Sequence, residues 1–295
     1  MVNVKLLKND KIINVSDLRD IKQEDIEAAD SDRIRNKFKL DVTQLDDQEK
    51  TNLIKLELKH NSKYIKKYNL FYKEFLNQDL KNLKLLTVSG ATKIKNMLVL
   101  SFNPGVMCHN SYCNNFLRCY SKKLEKLRPT ILKSIARQAA VFNNLPASVL
   151  SEKMKQEIIK YLKNQQKPER YIRLCDYGSI TDKQFNKLLQ VLNILEPFLI
   201  ENSIKFYIYL DDFKQIPEEL KHLINSVIVL NSSNIYTYYR FKEHNINSNL
   251  IASVPVEEYE QLKNDQVNYF YCPGSCKGCT GCKEYQEKVI LFKNH

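Results

Sequence analysis

Residues 171–210 read YIRLCDYGSITDKQFNKLLQVLNILEPFLIENSIKFYIYL, and this stretch indicates the fold class. Its two ends, 171–175 and 205–210, are short runs rich in β-branched and aromatic residues, which are typical of strands. Between them apolar residues recur at helical spacing over 182–200, after the helix-capping pair Thr181-Asp182. A strand, a helix and a second strand in this order predict a right-handed unit with parallel strands.

The same alternation extends to both sides of this unit. We expect further strands at 97–102, 227–230, 249–253, 267–271 and 289–292, and helices at 129–143, 148–164, 217–225 and 256–263. Before residue 96 the pattern changes to a hairpin over 2–14 and one or two basic amphipathic helices over 43–76. The sequence therefore predicts an N-terminal hairpin and basic helical region over 1–95 and an α/β domain over 96–295.

Polar residues and cysteines follow the predicted strands at the points where the strands end. These candidates for a pocket are Arg173, Asp176, Tyr209, Asp211 and Asn231, and Cys272 follows the strand at 267–271. Chemistry in α/β barrels is carried at the carboxyl ends of the strands, so we favour a partial (β/α)6-type open barrel with its cysteine clusters on that face. An open parallel sheet, which binds ligands at the same edge, is the alternative. An arginine that faces a barrel interior needs a partner, which Asp176 or a bound anion supplies.

Four of the eight cysteines lie within the eleven residues Cys272-Pro-Gly-Ser-Cys276-Lys-Gly-Cys279-Thr-Gly-Cys282. The last three form a Cys-x2-Cys-x2-Cys run, which is typical of ligands to a cubane iron–sulfur cluster, and Cys272 completes a set of four. Zinc sites usually combine two Cys-x2-Cys pairs separated by a longer loop. We therefore favour a 4Fe-4S cluster here, with a structural zinc site as the alternative.

A second set of thiols, Cys108, Cys113 and Cys119, follows the strand at 97–102. Three cysteines hold three irons of a cubane and leave the fourth open, as in radical S-adenosylmethionine enzymes, which bind their cofactor after the first barrel strand. The spacing departs from the Cys-x3-Cys-x2-Cys pattern of those enzymes, so a zinc site that includes His109, or a ligand shared with the other cysteine cluster, stays open. S-adenosylmethionine is thus a cofactor candidate.

The net charge of +12 is concentrated in one part of the chain, because residues 51–150 carry 17 basic and 4 acidic side chains. A surplus of this size suits phosphate contacts, so we expect DNA or RNA binding through the basic region 51–170. The alternative is that these lysines are ordinary solvent-exposed residues that bind no nucleic acid. The sequence shows neither a signal peptide nor eighteen consecutive apolar residues, and we expect a cytoplasmic protein without a membrane partner. In a reducing compartment its cysteines are metal ligands rather than disulfides.

Four motifs together resemble the phage gene product 88 family over roughly residues 97–295. They are Asn103-Pro-Gly105 with Cys108, Cys113 and Cys119; Arg173-Leu-Cys-Asp-Tyr-Gly178-Ser179; Phe206-Tyr-Ile-Tyr209; and Cys272-Pro273 with Cys276, Cys279, Cys282 and Phe292-Lys-Asn-His295. The chain departs from the family pattern in two places, because Ser179 stands where the family usually has aspartate and Asp211 stands where Thr-Lys is common. Residues 1–95 look like a region added to the family's domain. The resemblance implies a phage origin and cysteine-based metal binding in the host cell.

Two classes of function are compatible with these features. The first is an iron–sulfur enzyme that performs radical or redox chemistry on a nucleotide or nucleic acid. The second is a zinc-stabilised protein without catalytic activity, which binds nucleic acid or attaches to a host protein through 1–95. The chain has no phosphate-binding glycine loop, no Gly-x-Ser-x-Gly and no His-Glu-x-x-His motif, so nucleotide triphosphatases, serine hydrolases and zincin proteases are disfavoured.

Overall fold

The computed structural model describes residues 6–8, 11–13, 47–89, 96–108, 120–166, 168–210, 218–224, 226–232, 235–254, 256–262, 269–274, 279–284, 286 and 288–293. The helices are α1 (Asp47–His60), α2 (Ser62–Leu76), α3 (Tyr120–Leu127), α4 (Pro129–Asn144), α5 (Ala147–Asn164), α6 (Asp182–Glu201), α7 (Glu218–Ile224), α8 (Ile235–Glu243) and α9 (Val256–Leu262). The strands are β1 (Leu6–Lys8), β2 (Lys11–Ile13), β3 (Thr87–Val88), β4 (Leu98–Leu100), β5 (Tyr171–Leu174), β6 (Lys205–Tyr209), β7 (Ile228–Ser232), β8 (Ser248–Val254), β9 (Tyr269–Tyr271) and β10 (Val289–Lys293).

Strands β3 to β10 form one eight-stranded sheet in the order β3-β4-β5-β6-β7-β8-β10-β9. The neighbours from β4 to β9 are parallel, and β3 alone among the paired strands of this sheet runs antiparallel to its neighbour. The predicted α/β class is therefore confirmed, with a mostly parallel sheet. The hairpin predicted near the start of the chain is also present as the antiparallel pair β1 and β2.

The helices α4 to α8 pack on one face of this sheet. The central strands contribute Leu100, Leu174, Ile208 and Leu230 to the main core, which the helices complete with Phe142, Leu150, Phe185, Leu220 and Phe241. Strands β4 to β8 follow one another in space as they do in the chain. Right-handed crossovers that always step in the same direction place every connecting helix on the same side, which explains this one-sided layer.

The opposite face of the sheet has a different character. Val99, Arg173, Tyr207 and Val229 lie in register across four strands on this face. Three of them are buried, and the Tyr207 hydroxyl lies 3.2 Å from the Met97 sulfur. This mixture of aromatic, aliphatic and charged side chains differs from the aliphatic core beneath the helices, and it is the face on which the candidate site is built.

The predicted helices and strands lie within a few residues of the observed ones, and α8 is the main one that the sequence pattern did not predict. Its sequence, Ile235-Tyr-Thr-Tyr-Tyr-Arg-Phe-Lys-Glu243, is dominated by β-branched and aromatic residues, which have low intrinsic helix propensity. Tertiary packing forms this helix, since Phe241 is fully buried in the main core. The short β3 and the basic α3 were not predicted as separate elements either.

Residues before and after the predicted boundary at residue 95 share contacts. Helix α2 packs against α4, β3 is hydrogen-bonded to β4, and Leu85 and Leu86 belong to the main core. The division into 1–95 and 96–295 as folding units stays a prediction. None of the described helices is both long enough and apolar enough to cross a bilayer.

Candidate functional site

The loops that follow β4 and β5 are joined by hydrogen bonds. The Cys175 amide donates to the Leu100 carbonyl at 2.8 Å, which extends the pairing of the two strands by one step. Further along, the Asn103 side-chain amide donates to the Ser179 carbonyl at 2.9 Å. The two sequence motifs that follow these strands therefore form one structure at neighbouring strand carboxyl ends.

Gly178 lies where these two loops come closest. Its backbone has a φ of +66°, in the left-handed region that L side chains rarely adopt. A Cβ atom on this residue would lie 2.0 Å from the carbonyl oxygen of Asn103. Conformation and space thus both require glycine at this position.

The turn that leads into Cys108 is held by a buried carboxylate. Glu125 of α3 has 0% exposure, and it accepts hydrogen bonds from the amides of Gly105 at 2.6 Å and Val106 at 2.9 Å. Burial raises the pKa of Glu125 to about 7, although the two amides and the neighbouring lysines of α3 lower it. Because Val106 is two residues before Cys108, this side chain positions the start of the cysteine loop.

We expect Glu125 to make stability fall as the pH rises. Its folded-state pKa of about 7 lies above the ordinary glutamate pKa of 4.5, so the folded protein holds the proton more tightly than the unfolded chain. The stability is fully present below the unfolded pKa and is lost as the pH rises through the folded pKa. From about pH 5 to about pH 7 the free energy of unfolding should fall by roughly 2 kcal/mol relative to Glu125→Gln, measured by urea unfolding. A constant difference between wild type and variant over this pH range would contradict the assignment.

Arg173 projects from β5 on the face opposite the helical layer. Its Nε lies 3.3 Å from Oδ1 of Asp176, and the side chains of the pair are 25% and 9% exposed. The guanidinium carbon also lies 5.1 Å from the centre of the Tyr209 ring, at the end of the neighbouring strand. Asp176 is thus a partner of Arg173, as the sequence led us to expect. This cation, ring and carboxylate form the centre of the candidate site.

Cys175 lies beside this centre in an unusual backbone conformation. Its φ is +54°, which is uncommon for a residue with a side chain, and the thiol is buried. Burial raises the pKa of Cys175, Arg173 lowers it, and the nearby Cys108 and Asp176 raise it further. Cys108 of the first cysteine set therefore approaches the same strand end as Arg173.

Cys282 of the second cysteine set approaches from the other side. Burial raises the pKa of the Tyr209 hydroxyl, and Cys282 raises it further through its charge and a side-chain hydrogen bond. The carbonyl of Cys282 accepts a hydrogen bond from the Asn231 side chain at 3.0 Å. Cys108 thus lies near Cys175, and Cys282 lies beside Tyr209.

Two fully buried asparagines dock the chain that follows Cys282. Asn249 donates from Nδ2 to the carbonyl of Glu284 at 2.7 Å and to Oδ1 of Asn231 at 3.2 Å, and its own Oδ1 accepts from the Gln286 amide at 2.8 Å. These contacts satisfy main-chain groups that would otherwise be buried without partners. The described residues of this segment, 282–284 and Gln286, are therefore held on the sheet by side chains of β7 and β8.

The same segment is fixed at β5 by its own side chains. Lys283, which is buried, lies 3.2 Å from a carboxylate oxygen of Glu169 and 5.0 Å from the centre of the Tyr171 ring. The Tyr171 hydroxyl donates to the Glu284 carboxylate at 2.9 Å. Burial and this contact with Glu284 raise the pKa of Tyr171 to about 12. The segment thus spans from β8 across to β5.

The remaining described cysteines, Cys272 and Cys279, are half-buried thiols at the β9 side. The Cys272 amide donates to the Leu291 carbonyl at 2.9 Å, which extends the pairing of β9 with β10. Gly281 packs so closely on Phe270 of β9 that a Cβ atom would lie 2.2 Å from the ring. Cys272 is therefore placed at the end of β9, and Cys282 lies beside Asn231.

The full ligand sets extend beyond the part of the chain that the structure describes. Among the described residues, no three His, Cys, Asp or Glu side chains lie close enough together to hold a metal ion. Three of the seven predicted ligands, Cys113, Cys119 and Cys276, lie outside those residues, and so does the pocket candidate Asp211. Metal binding by either set stays a prediction.

Sequence reasoning missed Glu125, Asn249 and Lys283. A signal was present for the first two, because Glu125 is the lone acidic residue in the basic run Ser121-Lys-Lys-Leu-Glu-Lys-Leu-Arg128, and asparagine is depleted in strands such as β8. Lys283 carries no such signal, since a lysine directly after a cysteine cluster is expected to be exposed.

Comparison of the whole chain with protein-family models, curated proteins and solved structures gives no match.

Proposed function

We propose that this protein holds a 4Fe-4S cluster through Cys272, Cys276, Cys279 and Cys282. The observation that carries the proposal is the docking of Cys282 at the strand carboxyl ends, where its carbonyl accepts from Asn231 and its thiol meets Tyr209. Thiolates on a glycine-containing segment are the donors that iron–sulfur clusters use, so the donor set fits the group. The segment is thereby presented at the edge where parallel α/β proteins bind ligands.

We further propose that the sheet rolls into a partial, TIM-like open barrel with Arg173 facing its interior. The sequential order β4 to β8, with helices packed on one face, supports this, because a doubly wound sheet places helices on both faces. Arg173, Asp176, Tyr209 and Asn231 would then line the mouth of the barrel, together with Asp211. In that position Arg173 supplies fixed donors for an anionic substrate group.

A second cluster held by Cys108, Cys113 and Cys119 is part of the same proposal. When bound, such a cluster supplies one-electron chemistry and, at an open iron, a place for S-adenosylmethionine. The protein's own contribution would be to orient the loop through Glu125 and to present Arg173 and Asp176 beside it. The proximity of Cys108 to Cys175 supports placing this loop at the same strand end.

The biological setting that we propose is a phage protein acting in the host cytoplasm, on or with nucleic acid or nucleotides. The support is the resemblance to the gene product 88 family together with the concentration of positive charge in residues 51–150. The chemistry would be radical or redox chemistry.

The test is to measure iron, acid-labile sulfide and zinc per chain in protein purified without oxygen. We expect equal amounts of iron and sulfide in wild type, and loss of about four irons per chain in the double variant Cys276→Ser, Cys279→Ser. Cys175→Ser is the matched control, because it removes a thiol that belongs to neither predicted set although it lies near Cys108. Unchanged iron content in this variant would show that the loss is specific to the predicted ligands. Wild type without iron or sulfide would overturn the proposal.

A zinc-stabilised binding protein is the second candidate. The specific observation in its favour is that Asn249, Lys283 and Glu284 fix the chain after Cys282 to the sheet by hydrogen bonds and an ion pair, as a structural role of this segment requires. This candidate predicts zinc without sulfide, and binding to a host protein that is lost when residues 1–95 are deleted.

A further inference from the structure

The positive charge of the chain is concentrated in three helices that pack together. Helix α2 and the continuous stretch of α3 and α4 carry ten Lys or Arg side chains and only two glutamates. By contrast α1 has three lysines and three acidic residues, and α5 has four lysines and two glutamates. A general preference for lysine in this sequence would not produce such a difference between neighbouring helices.

The two glutamates offset only a small part of this charge. Glu125 is fully buried, where its carboxyl accepts from two backbone amides and interacts through charge with Lys122 and Lys126. Glu74 lies 3.0 Å from the ammonium group of Lys133 and is thus occupied by one of the ten cations. The exposed cations include Lys63, Lys66, Lys67 and Lys73 of α2, whereas Lys122 of α3 is buried.

Three of these cations, Lys63, Lys126 and Lys133, lie along a seam between α2 and the stretch of α3 and α4. The ammonium group of Lys63 in α2 lies 5.0 Å from the centre of the Tyr64 ring, and that of Lys126 in α3 lies 6.0 Å from it. Further along, Lys133 lies 5.4 Å from the Phe71 ring. We call this row of lysines and aromatic rings the basic seam.

The basic seam adjoins the turn that carries Cys108. Both α2 and α3 pack on the short helical turn Gly105–Met107, and the Asn61 side chain donates to the Val106 carbonyl at 3.5 Å. Glu125 reaches the same turn from α3. A polymer that follows the seam thus passes beside the first cysteine loop.

We propose that the basic seam binds single-stranded nucleic acid. Lysine ammonium groups bind phosphates, and aromatic rings at the base of a cationic groove offer a stacking surface to unpaired bases. Stacking on these rings requires bases that are not paired in a duplex, so the seam should favour a single strand. The inference deepens the nucleic-acid part of the proposed function and rests on it.

The experiment measures binding of a fluorescein-labelled oligothymidylate of about 20 nucleotides by anisotropy at several salt concentrations. In about 50 mM salt the double variant Lys63→Ala, Lys126→Ala should bind roughly 100-fold more weakly, and the salt slope should fall by about 1.4, since each phosphate contact on a single strand contributes about 0.7. The control variant Lys160→Ala, Lys163→Ala removes the same charge from α5 and should change affinity less than about 3-fold.

Four outcomes would overturn the inference. They are no binding of oligothymidylate by wild type in low salt, equal losses in the seam and control variants, equal affinity for a duplex of the same length, and binding to phosphatidylserine vesicles without binding to the oligonucleotide. Circular dichroism checks that both double variants are folded. A further variant, Tyr64→Leu, keeps the lysines but removes the aromatic ring, and it should weaken single-strand binding about 10-fold. Iron content is measured on the same samples, so loss of the metal proposal and loss of the seam proposal are separate results.

Discussion

Replacing Gly178 with alanine should lower the free energy of unfolding by about 4 kcal/mol. The left-handed backbone at a φ of +66° accounts for about 1 to 2 kcal/mol of this loss, because the new Cβ crowds the following carbonyl. The remainder comes from displacing Asn103, whose carbonyl oxygen would lie 2.0 Å from that Cβ atom. The obstacle is main chain, which yields far less easily than a flexible side chain.

Gly274→Ala is the matched control for this variant. Gly274 also has a left-handed backbone, with a φ of +73°, but a Cβ atom there would meet nothing within 4 Å among the described atoms. Only the conformational cost of about 1 kcal/mol should therefore appear. Urea unfolding of the metal-free forms of both variants makes the comparison, and equal losses would show that the contact with Asn103 contributes nothing.

Replacing Asn249 with aspartate should destabilise the protein by about 4 kcal/mol at neutral pH, although the two side chains have nearly the same shape. In wild type Nδ2 faces two acceptors, the Glu284 carbonyl at 2.7 Å and Asn231 Oδ1 at 3.2 Å. A carboxylate oxygen in that place brings negative charge against both acceptors, in a position with 0% exposure. The segment after Cys282 should detach from the sheet, which hydrogen exchange at residues 282–286 would report.

The pH dependence of Asn249→Asp separates this explanation from a loss of packing. Burial and the two facing acceptors raise the pKa of the introduced carboxyl above its unfolded value, although the Gln286 amide still donates to its other oxygen. The penalty is therefore largest at high pH and shrinks as the pH falls through the folded pKa. A protonated carboxyl donates one hydrogen bond and restores part of the network. Asn69→Asp on the exposed face of α2 is the control, with an expected change within about 0.5 kcal/mol. A pH-independent loss in Asn249→Asp would contradict the proposed network.

Local sequence pattern was sufficient for most helices and strands of this protein. The capping box at Thr181 begins α6 at the predicted residue, and the apolar runs at 171–174 and 205–209 form strands because their residues favour a pleated, buried surface. Helix α8 could not be predicted in this way, since its formation depends on burying Phe241 in a core assembled from distant strands. The pairing of Arg173 with Asp176 could be inferred from spacing along one strand and its loop.

The contacts that position the cysteines could not be predicted from local sequence pattern. Glu125 is twenty residues from Gly105, and Asn231 is fifty-one residues from Cys282, so neither contact leaves a periodic pattern in the sequence. The carboxylate and amide side chains involved are found more often on surfaces, and a reader of the sequence would place them there.

By itself, the sequence determined the α/β class, the alternation of helices and strands, and the positions of the thiols along the chain, because these follow from local hydrophobic period and residue chemistry. The tertiary structure decided the strand order β8-β10-β9, the single-sided layer of helices and the docking of 282–286 on the opposite face. The physical reason is that these features depend on satisfying buried polar groups and apolar surfaces between segments far apart in the chain. Which segments pair is determined by the free energy of the complete fold and not by any one segment.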